Sequence, residues 1–344
     1  MPALNKPEKK ATSEREWLAQ LKREHHERPL YSTHARNQER TADEATPEVQ
    51  AIWFKNMKEV MHEIDWATDG EVLPREGPMN FLDLGCCPGG FSSYVLEKNP
   101  DATGVGVSLP SGHEYLLENE LRARHELLWA DLLQYDVRSA PVAAAVGFVD
   151  LPWGLRCRQF DLVILDGHPL RSQKATTNSV GPRLLVTQLL LALRTVRYGG
   201  ALIVKLSGVD RPDTQAVLWA LDALATRLTA YKPVSMHATR DTFYAVAEGV
   251  FMEGWVGVDV DGGCGARVLR VEDVVAGLEA RWAAATFGKG KRIEEVGMWA
   301  AVGCEGTERM AFKKRLNKLV EQVVRVQRRA LEGLAEDERS RGAA

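Results

Sequence analysis

The sequence predicts an α/β protein, a mostly parallel sheet with flanking helices, followed by a mainly helical C-terminal extension. Three observations carry this reading. Short apolar runs at residues 81–84, 104–107, 162–165 and 201–204 have the composition of buried parallel strands. Stretches with helical spacing lie between them, and the first run breaks directly into a glycine-rich turn that opens a helix. From residue 253 the composition shifts to a glycine-rich segment and then to long charged helical patterns. The expected divisions are therefore a charged, partly mobile arm over 1–45, the α/β domain over 46–252 and the extension over 253–344.

Residues 1–45 carry mixed charges, and Trp17, Leu18 and Leu21 can form the narrow apolar stripe of one short helix. From Pro47 the spacing of Val49, Ile52, Trp53, Met57, Val60, Met61 and Ile64 predicts an amphipathic helix. Lys55 and Lys58 lie on its other side, each either a solvated surface charge or a cation reaching over the neighbouring crevice. A loop with Gly70, Pro74, Gly77 and Pro78 leads to the central strand, and FLDLGCCPGGF follows over 81–91. Gly85, Gly89 and Gly90 let the backbone turn tightly and approach a ligand, Pro88 presets one dihedral, and the amides opening the helix over 92–98 face the same crevice. The spacing is not G-x-G-x-x-G and no P-loop lysine follows, so a nucleotide-like ligand without phosphates fits better than a dinucleotide or a triphosphate.

The second strand, GVGVSLP, ends near Ser108, and 113–124 reads as a helix. A third strand falls within 127–136, with Asp131 and Leu132 at its exit, while residues 139–158 give no firm assignment. In FDLVILDGHPL the apolar run ends at Asp166, and an acid at the carboxyl end of a parallel strand points into the ligand crevice of an open α/β sheet. The loop after it carries His168, Arg171 and Lys174. A helix over 181–197, closed by Gly199 and Gly200, precedes the strand ALIVKLSG. Lys205 follows four apolar residues there, and an ammonium in that place needs a carboxylate or a polar site. Asp166 and Lys205 end adjacent strands in the inferred topology, so each can satisfy the other. After a helix over 213–225, two strands joined by a polar link at His237 to Arg240 read as an antiparallel pair closing the sheet. Helices over 271–285 and 308–334 follow.

With 344 residues and 45% hydrophobic content the chain can bury a full core. A formal charge of −3 gives no global sign of nucleic-acid binding, so any such site must be a local patch. The cysteines, Cys86, Cys87, Cys157, Cys264 and Cys304, include no C-x-x-C pair, which argues against a disulfide framework or a structural zinc site, and no metal is expected. The segment over 257–268 has too few acids, wrongly spaced, for an EF-hand. No apolar run approaches the ~20 residues that span a membrane, and the charged N-terminus is unlike a signal peptide. An intracellular protein, cytoplasmic or nuclear, is expected, with its oligomeric state open.

The turn D-L-G-x-x-P-G-G-F resembles the first motif of S-adenosylmethionine (SAM) dependent methyltransferases, and in this form it is similar to the FtsJ family of RNA ribose 2'-O-methyltransferases. The resemblance covers roughly residues 50 to 250. It implies a Rossmann-like fold with a seven-stranded sheet, SAM as cofactor and RNA as substrate. It places the cofactor against Gly85, Cys87, Pro88, Gly89, Gly90, Phe91, Ser108, Asp131, Leu132 and Asp166. Ser108 stands where related folds end this strand in a ribose-binding acid. Asp131 is either an acceptor for the adenine amino group or a helix N-cap.

The family carries a Lys-Asp-Lys-Glu tetrad, and the matching positions are Lys55 in WFKNMKEV, Asp166 in VILDGHP and Lys205 in LIVKLSG. At the fourth, two residues before Tyr244, this chain has Thr242, with Asp241 one step further back. A ribose hydroxyl is a poor nucleophile near neutral pH, so it must be held in line with the sulfonium methyl and lose its proton as the C–O bond forms. Lys205 is expected to take that proton, with Asp166 orienting it and Lys55 stabilising the developing oxyanion. The basic segment with Lys313, Lys314, Arg315, Lys318 and Arg325 is either a solvated outer face or the patch for the RNA backbone. Two other readings stay open: a methyltransferase for a small molecule or protein, since this fold hosts many acceptors, and a non-catalytic RNA- or partner-binding protein that retains the fold, which Ser108 and Thr242 favour.

Overall fold

The computed structural model describes residues 14–26, 45–110, 113–139, 147–169, 180–251, 269–288, 297–304 and 306–342. Arg171, Lys174, Cys264 and the glycine-rich segment over 257–268 lie outside them. In chain order the elements are α1 (Glu14–His26), α2 (Pro47–Ala67), β1 (Met79–Leu84), α3 (Gly90–Lys98), β2 (Ala102–Ser108), β3 (His125–Trp129), α4 (Trp153–Cys157), β4 (Phe160–Leu165) and α5 (Val180–Thr195). They continue with β5 (Val196–Ser207), α6 (Pro212–Leu224), β6 (Ala225–Tyr231), β7 (Thr242–Val250), α7 (Val271–Phe287), α8 (Met298–Ala301), α9 (Gly306–Leu319) and α10 (Glu321–Gly342).

The strands form one seven-stranded sheet in the order β3-β2-β1-β4-β5-β7-β6. The pairs from β3 through β5 are parallel, and β7 runs antiparallel to both of its neighbours. The order reverses between β1 and β4, which opens a crevice at their carboxyl ends. Successive side chains of each strand serve opposite faces. Leu82, Leu84, Val163, Leu165, Leu202 and Val204 enter the core under α5 and α6, while Phe81, Leu162, Ile164, Ile203 and Val246 enter the core under α2 and α3. This parity puts Asp83, Lys205 and Tyr244 on the α2 and α3 side.

α2 starts where Thr46 caps the Val49 amide at 3.4 Å and Pro47 fills the first turn. The short N-terminal helix forms as α1, and Leu18 and Leu21 are buried against the extension. Trp17 Nε1 donates to Glu332 at 2.8 Å, and Arg328 pairs with Glu14 at 2.7 Å. Leu18, Val274, Trp282, Phe312 and Val323 share one core with Val204 and Leu218, so α1 and the described helices of the extension pack into the same hydrophobic core as the sheet.

Three expected helices differ from the structure. Residues 113–118 are irregular, and only a 3-10 turn, Arg122–Arg124, follows. Their backbone groups are bonded to neighbours instead: Leu116 N–H to the Pro88 carbonyl, Glu114 N–H to Gln50, and the Leu117 carbonyl to Arg122. The helix expected over 308–334 breaks at Val320, so that α9 lies on α6 while α10 lies on α1 and β6. α5 ends at Thr195 with β5 starting at once, and Gly200 is a strand residue rather than a helix stop. A Cβ at Gly200 would stand 2.9 Å from the Asp161 carbonyl of β4.

Candidate active site

Asp166 lies just beyond β4 and is 5% exposed. Lys205 Nζ donates to its Oδ2 at 3.2 Å, and the Tyr244 hydroxyl donates to its Oδ1 at 2.7 Å. Lys205 and Tyr244 face each other across the β5–β7 ladder. Three strands thus deliver one acid, one amine and one phenol to a single point. Burial first, and then the Asp166 charge, push the Tyr244 hydroxyl well above the usual phenol range, so it stays a proton donor to the carboxylate.

Beside this group the glycine turn leaves β1. Gly85, Cys87, Ser108, Asp131, Leu132 and Gly167 line a cleft with about 580 Å³ of empty space, its mouth included. His113 and His168, not singled out as cofactor contacts from the sequence, line it too. Asp131 does cap a turn, accepting from the Leu133 amide at 2.9 Å, while its residue still faces the cleft. Ser108 hydrogen-bonds the Cys87 thiol, whose pKa is lowered mainly by a hydrogen bond from the adjacent Cys86. A larger cleft of about 1100 Å³ opens at the other end of the sheet. Its charges are mutually paired, Arg197 with Asp161 and Arg227 with Glu248, each at 2.5 Å, so no unmatched group points to a ligand there.

Two expected cofactor contacts have a different use. Phe91 is completely buried in the core with its ring edge-on to Tyr244, centroids 5.9 Å apart. Gly90 is where α2 crosses α3, and a Cβ there would meet the Phe54 carbonyl at 2.4 Å. Both follow the ligand turn in sequence, but they pack α3 rather than line the cleft. Gly89 sits at φ 111° as the N-cap of α3, and the Pro88 carbonyl is bonded to Leu116.

Of the two α2 lysines, Lys58 is tied to Glu97 at 2.8 Å and Glu118 at 3.2 Å. Lys55 is exposed and makes no hydrogen bond or ion pair with the described residues. It stands on the helix that covers the Asp166 face. Thr242 opens β7 opposite Ser207, on the same strand face as Tyr244. Asp241 is turned to Lys22 of α1 at 2.6 Å and to Gln327 of α10 at 2.9 Å.

Sequence reasoning passed over Asp83, which is fully buried with one oxygen accepting from the Ser92 hydroxyl at 2.8 Å. Its Oδ1 is buried without a partner. Burial raises its pKa to about 7, with the Asp166 charge adding to the shift. An acid inside an apolar strand run was the available signal. The orphan oxygen, two residues before the cleft-lining Gly85, fits a cofactor that brings an ammonium group. Between the ordinary carboxylate pKa near 4 and about 7, the folded protein holds a proton on Asp83 that the unfolded chain lacks. The ligand-free protein therefore loses stability from this group progressively as pH rises from about 4 to about 7, with no further loss above that, and a cationic ligand beside it relieves the cost. SAM should bind more tightly at pH 8 than at pH 6, and Asp83→Asn should weaken binding and flatten that trend, as read by calorimetry. A wild-type trend no steeper than the variant's would detach Asp83 from the cofactor.

A seven-stranded sheet with its antiparallel strand inserted before the last, and a glycine turn facing a cleft at the reversal of strand order, is the architecture of the Rossmann-like methyltransferase fold. The model of the FtsJ-like methyltransferases matches residues 57–250, and the chain belongs to that family. It is 28% identical over 196 residues to the cap-specific mRNA (nucleoside-2'-O-)-methyltransferase 1 of Danio rerio, a match covering 53% of this chain and 23% of that protein. The Bos taurus protein of the same name is 28% identical over 178 residues, covering 49% and 21%. The chain thus spans less than a quarter of the length of these curated relatives. Among solved structures, a TehB-like SAM-dependent methyltransferase from Corynebacterium glutamicum aligns with a TM-score of 0.33 at 14% identity, over 64% of this chain and 100% of that one. Among the described residues no helix is long and apolar enough to cross a membrane, and no cluster of metal-ligating side chains occurs.

Proposed function

We propose that the protein transfers a methyl group from SAM to a ribose 2'-hydroxyl of RNA. The observation that carries this reading is the Lys205–Asp166–Tyr244 group beside the cofactor cleft. When bound, the cofactor supplies an electrophilic methyl group. Asp166, fixed by Tyr244, orients Lys205, which, once its ammonium has given a proton to solvent, would take the hydroxyl's proton as the O–C bond forms and the sulfonium C–S bond of the cofactor breaks. Lys55, on α2 and unpaired among the described residues, would stabilise the oxyanion as charge develops on it. Gly85, Cys87, Ser108, Asp131 and Leu132 hold the cofactor, with Asp83 at its ammonium end. No metal enters this scheme.

The RNA strand has a track in this reading. Lys313, Lys314 and Lys318 are exposed on α9. That helix is linked to the catalytic edge: Arg15 bonds Asn317 at 2.7 Å and Asp210, in the loop after β5, at 2.5 Å. Arg315 and Arg325 contribute less, because each is paired with an acid, Asp222 at 2.9 Å and Glu321 at 2.5 Å. The relatives' cap-specific mRNA naming makes capped mRNA the leading acceptor, and a cytoplasmic or nuclear site of action goes with it. The test is incubation with labelled SAM and RNA, capped and uncapped, followed by nucleoside analysis. Label in 2'-O-methylnucleosides is expected; label only in bases, or none, would reject the reading in favour of another acceptor or a binding role.

A further inference from the structure

The family's fourth catalytic position is Thr242 here, and it brings no carboxylate. Another side chain packs beside Tyr244, the residue two positions on from Thr242. His237 lies in the link between β6 and β7, is 3% exposed, and its ring centroid is 6.1 Å from that of Tyr244. Its Nδ1 is buried and has no hydrogen-bond partner. An unmatched buried nitrogen costs a folded protein stability unless a ligand completes it. The groups whose charge acts on this imidazole are Lys205, Arg240, Lys232 and His168, and no acid is among them. Burial above all, and then these groups, push its pKa down to about 2. The ring is therefore neutral and acts as a hydrogen-bonding group rather than as a base.

The link is held in place from both ends of the chain. Lys232, fully buried, donates from Nζ to the carbonyls of Arg240 and, at 2.7 Å, Thr242. Its amide bonds Gln322 of α10 at 2.9 Å, and Asp241 is clasped by Lys22 and Gln327. The N-terminal helix and the C-terminal extension thus fix a loop whose buried histidine stands against the catalytic group. A loop so tied is built to present a side chain, not to yield to one.

We propose that His237 is the fourth member of the catalytic group, touching the acceptor sugar and receiving at Nδ1 a hydrogen bond from one of its hydroxyls. This rests on the ribose acceptor proposed above. The full-length chain and its His237→Ala, His237→Asn and His237→Gln variants are compared for kcat and KM on RNA, for SAM affinity and for thermal unfolding. The asparagine amide comes near the place of Nδ1, whereas that of glutamine comes near Nε2. His237→Ala and His237→Gln should lose roughly 10- to 100-fold in kcat, as for loss of one buried hydrogen bond. His237→Asn should recover most of it, with SAM affinity and the shape of the pH–rate profile unchanged in all. Equal activity of the alanine variant, rescue by glutamine as good as by asparagine, or a kcat loss matched by lost SAM affinity or folding would overturn this role alone. A wild-type protein that methylates no RNA would overturn it together with the proposed function.

Discussion

Lys205→Met should abolish methyl transfer while leaving SAM binding nearly intact. The substitution keeps the length of the side chain but removes the amine that bonds Asp166 at 3.2 Å. Losing a group that takes a proton in the transition state costs roughly 10²- to 10⁴-fold in rate. Lys205→Arg should fail almost as badly, because a guanidinium keeps its charge in any protein and cannot accept the proton. A structural effect runs beside the catalytic one. Asp166 is left with only the Tyr244 hydroxyl, and a buried carboxylate without its cation destabilises the fold by about 1 to 3 kcal/mol, at the low end because the Lys205 side chain is 19% exposed. Lys58→Ala is the control: its partners are Glu97 and Glu118, away from Asp166, and most activity should remain. Single-turnover transfer and calorimetry separate the two effects. A Lys205→Met protein that methylates RNA at the wild-type rate would remove this amine from the mechanism.

Gly85→Ala should eliminate SAM binding and destabilise the protein by roughly 2 to 4 kcal/mol, as expected of strain at a special backbone position combined with a backbone clash. Gly85 has φ 88°, and a Cβ there would lie 2.5 Å from the Gly167 Cα and 2.6 Å from its nitrogen. Those atoms are backbone, at the point where the carboxyl ends of β1 and β4 come together, so nothing flexible can give way. Gly85 and Gly167 both line the cleft. Gly77→Ala is the comparison, since its φ of 84° is equally left-handed but a Cβ there meets nothing within 4 Å. It should cost about 1 kcal/mol and leave binding intact. Chemical denaturation and calorimetry on both variants read the difference. Equal stability losses would mean that the close approach of the two strands is not what requires this glycine.

The sequence by itself determined the sheet and the pairing of Asp166 with Lys205. Strands buried on both faces are written as apolar runs, so the two charges that close such runs, Asp166 and Lys205, stand out without knowledge of any contact. The glycine turn was legible for the same reason, since its place between a strand and a helix is local. Only the tertiary structure decided which side chains around those charges matter. Tyr244 meets Asp166 because of the β5–β7 register, a pairing that joins residues 39 positions apart in the chain, Lys205 with Tyr244. His237 looked like part of a polar link until α1 and α10, from the two ends of the chain, were seen to hold that link in place. Phe91 and Gly90 lie beside the ligand turn in sequence but pack against α2 and the core, because the helix they begin carries them away from the cleft. Periodicity and composition record which face of an element is buried; what that face meets depends on packing between distant segments, and no local pattern encodes it.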